Sequence, residues 1–496
     1  MARRAVLNAM KILNASIVRF MLAWLVILQF MTATGAEPNF RTLVSFTSTN
    51  GPVLGAVPES RLLLGNDGYL YGTTISGGTN NLGTIFKIST NGDFSTSFQF
   101  TSSSGYEPQS GLMQAQDGML YGTTGSGGAN GLGTAFRLST NDQFMVFAAF
   151  DPTNGFLASG LIQARDGNFY GTAWEGGTNG YGQFGTVFKL STNGSLSALY
   201  CFGSKTNGDG IALDGQSPQA ALVEARDGAL YGTTTAGGSD GGFGTIFRIT
   251  TDGTFSSLAS FNGTNGANPA GALVEGIDGS LFGTASGGGI GFSGSPYSGN
   301  GTVFKVTKSG VLTVLHYFTG YPDDGAVPEF VGMVAGTDGD WYGTSFYGGG
   351  NGEGGVWRMT PQGQSSLVYS FSRRDYQTGT NTDGSAPWAG LTQASDGTLY
   401  GTAGFGGLYG FGTVFCLSSS EFSKPLIQTV SHTNTTTVLG WTPLPRRSYQ
   451  LQGTSISGSP GWMNIGNTIV GTNLFATALD STAFVSNRMY RLVLLP

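Results

Sequence analysis

The stretch from Gly111 to Phe150, GLMQAQDGMLYGTTGSGGANGLGTAFRLSTNDQFMVFAAF, reads as four short strands joined by turns. Gly111 to Ala115 is the first strand, Asp117-Gly118 a reversal, and Leu120 to Thr124 the second strand. Asp-Gly suits that reversal because both residues tolerate positive φ. After a Gly127-Gly128 loop, Gly133 to Leu138 makes a third strand and Phe144 to Phe150 a fourth. Four antiparallel strands per period form a propeller blade.

Outward from this stretch, the same pattern recurs. Asp-Gly pairs begin at Asp67, Asp117, Asp166, Asp227, Asp278, Asp338 and Asp396, in steps of 50, 49, 61, 51, 60 and 58 residues. Periods of this size belong to blades or arrays. The seventh repeat reaches Gly412-Thr413-Val414-Phe415 but has no Phe-ending fourth strand after it. The missing strand lies at the other end of the chain, where Arg41 to Phe46 matches Thr313 to Phe318 and Ser366 to Phe371 with no three strands before it. The N-terminal strand is therefore expected to complete the seventh blade and cover an otherwise open edge. The expected fold is all-β: a seven-bladed β-propeller over residues 41–420, then a small β-sandwich over 425–496.

Composition points the same way. Charged residues make up 10% of the 496, while 84 are Gly and 34 are Phe, a mixture of tight turns and strand-favouring aromatics. Residues 1–36 read as a secretory signal: Arg3, Arg4, Lys11 and Arg19 precede or flank an apolar run from Phe20 to Met31, and Thr34-Gly35-Ala36 offers a cleavage site. That run is too short to span a bilayer, which takes roughly 20 residues. Removing the segment deletes four basic and no acidic residues and takes the formal charge from −6 to −10. Such an acidic surface repels phosphate backbones, so no nucleic-acid partner is expected, and no membrane span in the mature chain. Cys201 and Cys416 fall in different repeats, too far apart around a ring for a disulfide.

The repeated aromatics read as packing. Tyr71, Tyr121, Tyr170, Tyr231, Phe282, Tyr342 and Tyr400 occupy one position, and Phe86, Phe136, Phe188, Phe247, Phe304, Trp357 and Phe415 another. They are expected to fill the gaps between blades. The repeated Asp reads as a turn residue; the chain has no calcium-loop pattern, and no metal or other cofactor is expected.

These elements, Gly-Leu, Asp-Gly, Leu-Tyr-Gly-Thr-Thr, Gly-Gly and Gly-Thr-x-Phe, resemble the GloVer tandem repeat of secreted bacterial proteins with variable C-terminal anchors. The resemblance covers residues 41–420, with Phe282 and Gly355-Val356-Trp357 as local departures. It implies secreted or cell-surface placement and carries no established activity. Trp441-Thr442-Pro443, Tyr449 to Gln452 and Tyr490-Arg491 resemble fibronectin-type-III-like C-terminal modules.

In a four-stranded blade, the first-to-second and third-to-fourth turns share one face, and these are short here. The other connections share the opposite face and carry insertions at 203–219, 289–300, 319–330 and 372–387. Variable loops on a regular scaffold are where binding resides. The candidate ligand-binding residues on that face are Trp174, Glu175, Tyr181, Asp323, Asp324, Phe346, Tyr347, Arg373, Tyr376 and Trp388. Aromatics interleaved with carboxylates and Arg suit a sugar ring; the same residues also suit plugging the ring mouth. The expected role is a non-enzymatic module binding an extracellular glycan. One alternative is a polysaccharide hydrolase or lyase using Glu175, Asp323, Asp324 or Glu353; another is a structural protein that binds a surface protein. With only His316 and His432 in the chain, and His316 in an outer strand, the sequence offers no histidine-based centre.

Overall fold

Each of the seven repeats folds into an antiparallel sheet whose strands follow one another from the ring axis outward. The computed structural model describes residues 38–178, 184–329 and 332–418, with C-terminal strands at 429–432, 437–441, 448–455, 463–470, 476–480 and 488–495. The expected signal segment and Tyr181 lie outside the described residues, among which there is no helix. Blade 1 pairs Leu63–Leu64, Leu70–Thr74, Thr84–Ile88 and Phe94–Gln99 in that order. Blades 2 to 6 repeat the arrangement, with innermost strands at 113–114, 162–163, 223–224, 274–275 and 334–335, and blade 3 adds Phe156–Ala158 against Phe169–Glu175.

Blade 7 is shared between the two ends of the chain. Thr392–Gln393, Leu399–Ala403 and Thr413–Ser418 supply its inner strands, and Asn39–Ser45 supplies the outermost. Arg41 lies opposite Cys416 and Thr42 opposite Phe415. The ring is closed as the sequence predicts. Cys201 and Cys416 are not joined in a disulfide.

Seven hydrophobic clusters hold the ring, each spanning two neighbouring blades. The Phe that ends each fourth strand sets its ring edge-on to the Phe or Trp of the next blade's third strand. These contacts are Phe46–Phe86, Phe100–Phe136, Phe150–Phe188, Phe202–Phe247, Phe261–Phe304, Phe318–Trp357 and Phe371–Phe415, with centroids 5.0 to 5.6 Å apart. Edge-to-face pairs add about 0.5–1.5 kcal/mol beyond area burial. The third-strand aromatic also explains the glycine in Tyr-Gly-Thr: a Cβ on Gly72 would stand 2.4 Å from Phe86 Cζ, and one on Gly401 2.5 Å from Phe415 Cζ.

The structure differs from the sequence reading at two points. Only the glycine of Asp-Gly takes the left-handed conformation: Gly68 has φ +84°, while Asp67 is not among the positive-φ residues. Asp67 instead caps the turn, accepting the Tyr69 N–H at 3.2 Å and the Tyr71 hydroxyl at 2.6 Å. The innermost strands are also two residues long rather than five. The residues before them belong to the segment that carries the chain from one blade to the next.

The C-terminal strands form two three-stranded antiparallel sheets, 429–432/437–441/476–480 and 463–470/448–455/488–495. The strand at 429–432 was not expected from sequence.

Candidate functional site

The mouth of the ring is built from the segment that carries the chain from one blade to the next. In each, one non-glycine residue holds positive φ: Val57, Glu107, Leu157, Ser217, Asn268, Val327 and Ala386. Left-handed geometry is costly for a β-branched residue such as Val57, and here it serves the ring. The Val57 N–H donates to Phe411 O of blade 7, while its carbonyl accepts the Ile75 N–H of blade 1. Glu107, Ser217, Asn268, Val327 and Ala386 make the same pair of bonds, stapling consecutive blades. A proline follows in six of the seven segments, and its ring explains the glycine of Gly-Thr-x-Phe: a Cβ on Gly412 would lie 2.6 Å from Pro58 Cδ.

The residues after the prolines are Glu59, Gln109, Gln219, Ala270, Glu329 and Trp388, and the first four line the mouth. Behind it opens an axial cavity of about 710 Å³, whose wall includes Glu59, Arg61, Gln109, Trp174 and Gln219. Burial, and secondarily the neighbouring charge of Glu329, push the Glu59 carboxyl up to about 8, and burial raises Glu329 as well. Arg61 is exposed to the cavity, and desolvation by the surrounding wall lowers its pKa from the usual guanidinium range. None of these three residues stood out in the sequence. The signal lay in comparing the residues beside each proline across repeats.

A second cluster joins blades 6 and 7 on the same face. Phe346 stacks on Trp388 at 5.1 Å, Tyr347 meets Phe346 edge-on at 4.3 Å, and Phe405 meets Trp388 at 5.6 Å. Arg374 lies over the Phe405 ring at 5.6 Å and donates from Nε to Glu353 at 2.8 Å. Trp388 Nε1 is buried without a hydrogen-bond partner. Tyr347 is 54% exposed and Tyr376, beneath the Arg373 guanidinium at 5.0 Å, is 76% exposed.

The structure thus brings Phe346, Tyr347 and Trp388 together, sets Arg373 and Tyr376 in the loop beside them, and puts Trp174 on the cavity wall. Glu175 continues the Trp174 strand opposite Phe156, and Asp323 is exposed in its loop. Asp324 is buried: its carboxylate bonds His316 Nε2 at 2.8 Å and accepts the Thr319 N–H at 3.1 Å. Asp214 and Asp383 do the same for Tyr200 and Tyr369, both at 2.7 Å, so carboxylates at this loop position tie the loop to its blade. Among the described residues, no group of three or more His, Cys, Asp or Glu is placed to hold a metal ion. Nor is any helix among them long and apolar enough to cross a membrane.

These features define a closed seven-bladed β-propeller whose long connections and axial cavity open on one face. The chain belongs to the Gloeobacter/Verrucomicrobia repeat family, whose model matches residues 26–184, 157–329 and 291–440. No curated protein sequence matches it. Similar solved structures include the lectin BP39L of Burkholderia pseudomallei, at 9% identity and TM-score 0.47 over 79% of this chain and 92% of that one. A PL25 ulvan lyase is similar at 12% identity and TM-score 0.42, over 65% and 84%. PorZ, a surface component of the type-IX secretion system of Porphyromonas gingivalis, is similar at 12% identity and TM-score 0.37, over 91% and 74%.

Proposed function

We propose that this chain is an exported, non-enzymatic binding module that takes carbohydrate on its loop-rich face. The observation that carries the reading is the Tyr347–Phe346–Trp388 cluster, three contiguous aromatic rings of which the outermost is more than half exposed. A rigid ring presented this way offers apolar area at low entropic cost, and the exposed Arg373 and Asp323 in loops of the same face supply hydrogen-bonding groups for hydroxyls. Of the four carboxylates considered for hydrolysis, Asp324 and Glu353 are already engaged by His316 and Arg374. That engagement disfavours a paired-carboxylate mechanism on the loops. Export is supported by the basic and then apolar character of residues 1–36.

Glycan-array binding of the full chain tests this. The intact protein is expected to retain at least one polysaccharide class, Tyr347→Ala to lose most of that signal, and Tyr69→Ala, in an Asp-Gly turn on the opposite face, to keep it. No binding to any glycan, or equal binding by Tyr347→Ala, would overturn the reading.

A further inference from the structure

Two residues ahead of each inner strand, seven equivalent positions line the axis. Six of them, Gly111, Gly160, Ala221, Ala272, Gly332 and Gly390, carry nothing beyond Cβ, and the seventh is Arg61. Part of that pattern is enforced by close approach, since a Cβ on Gly390 would lie 2.4 Å from Gly332 O. The consequence is an axial space into which a single guanidinium reaches. Its Nε donates to the neutral Thr392 hydroxyl at 3.3 Å, and among the described residues no carboxylate lies within 4 Å of Arg61. Arg61 is exposed to the cavity with no counter-charge against it, so its remaining donors are open to an incoming anion. Trp174 stands on the same wall, with Gln109 and Gln219 among its polar neighbours. Arg is suited to an oxyanion because its planar fork matches a carboxylate or sulfate in a bidentate arrangement.

We infer that the axial cavity binds an acidic sugar unit, its carboxylate or sulfate group paired with Arg61 and its ring lying against Trp174. The inference extends the carbohydrate reading to a specific ligand charge and a specific place. The cavity volume of about 710 Å³ accommodates a sugar ring with space for water. At neutral pH a protonated Glu59 adds no charge to repel the anion.

Isothermal titration of the full chain with D-glucuronate, D-glucose and sodium acetate, at constant ionic strength, tests it. Glucuronate is expected to bind at least about 10-fold more tightly than either glucose or acetate. Arg61→Gln should lose about 10-fold or more of that affinity, Arg61→Lys should retain part of it, and thermal melts should show both variants folded. Glucuronate no tighter than glucose, or unchanged in both Arg61 variants, overturns the inference; acetate as tight as glucuronate overturns its sugar component. Tyr347→Ala separates the two readings. Array binding lost in Tyr347→Ala with glucuronate indifferent to Arg61 leaves the rim reading standing and removes this one, whereas Arg61-dependent glucuronate binding without any Tyr347 effect does the reverse.

Discussion

Glu59 sits one residue past a proline at the ring mouth, where burial and a like charge act in the same direction. Its carboxyl is raised from 4.5 to about 8, first by desolvation and then by Glu329. A carboxyl that binds its proton more tightly in the folded chain stabilises the fold fully below pH 4.5, progressively less between 4.5 and 8, and not at all above 8. Thermal melts should therefore show stability falling across that window. Glu59→Gln should flatten part of the fall and melt higher than the native chain at pH 9, by an amount on the order of 1 kcal/mol. Glu329, also raised, accounts for a remaining slope. Identical pH dependence in the two proteins would contradict the assigned environment of Glu59. The sequence reading missed this residue for a definite reason: it looked for irregularity in the long loops, whereas Glu59 and Arg61 lie in a segment of nearly constant length, where only side-chain identity departs from the repeat.

At the scale of elements, the strands were legible because Tyr-Gly-Thr and Gly-Thr-x-Phe recur in register, and a recurring Gly next to a recurring aromatic implies one ring lying over another residue's Cα. The edge-on contact that joins each blade to the next was only half visible. The Phe-ending fourth strand showed in sequence, but its partner across the blade gap did not. Phe100 is fully buried, and its ring meets Phe136 of blade 2 at 5.5 Å. Phe100→Ala should destabilise the protein by about 3–5 kcal/mol in denaturant melts. A loss under about 1 kcal/mol would mean that the blade gap is not packed by this contact. Less legible still was the short ladder above each blade, where Ala56 bridges Ser76 and Tyr106 bridges Ser126. It depends on left-handed residues such as Val57 and Leu157 that no propensity argument places at positive φ.

At the scale of the whole molecule, the functional readings rest on closure: only a closed ring gathers the variable connections on one face around one axial cavity. Closure was foreseeable because one fourth strand was missing at the end of the repeat array and one spare strand stood at its start. The depth and lining of the cavity were not, since they follow from seven inner positions converging on an axis. The native chain offers a direct probe, because Arg41 of the N-terminal strand lies across from the free thiol of Cys416. Neighbouring antiparallel residues fall within or close to disulfide range. Mass spectrometry of oxidised, protease-digested Arg41→Cys protein measures the pairing. A peptide cross-linked between residues 41 and 416, with Cys201 outside the cross-link, is the result predicted; Cys416 remaining fully alkylatable, or residue 41 linked to Cys201 instead, would contradict the closed ring.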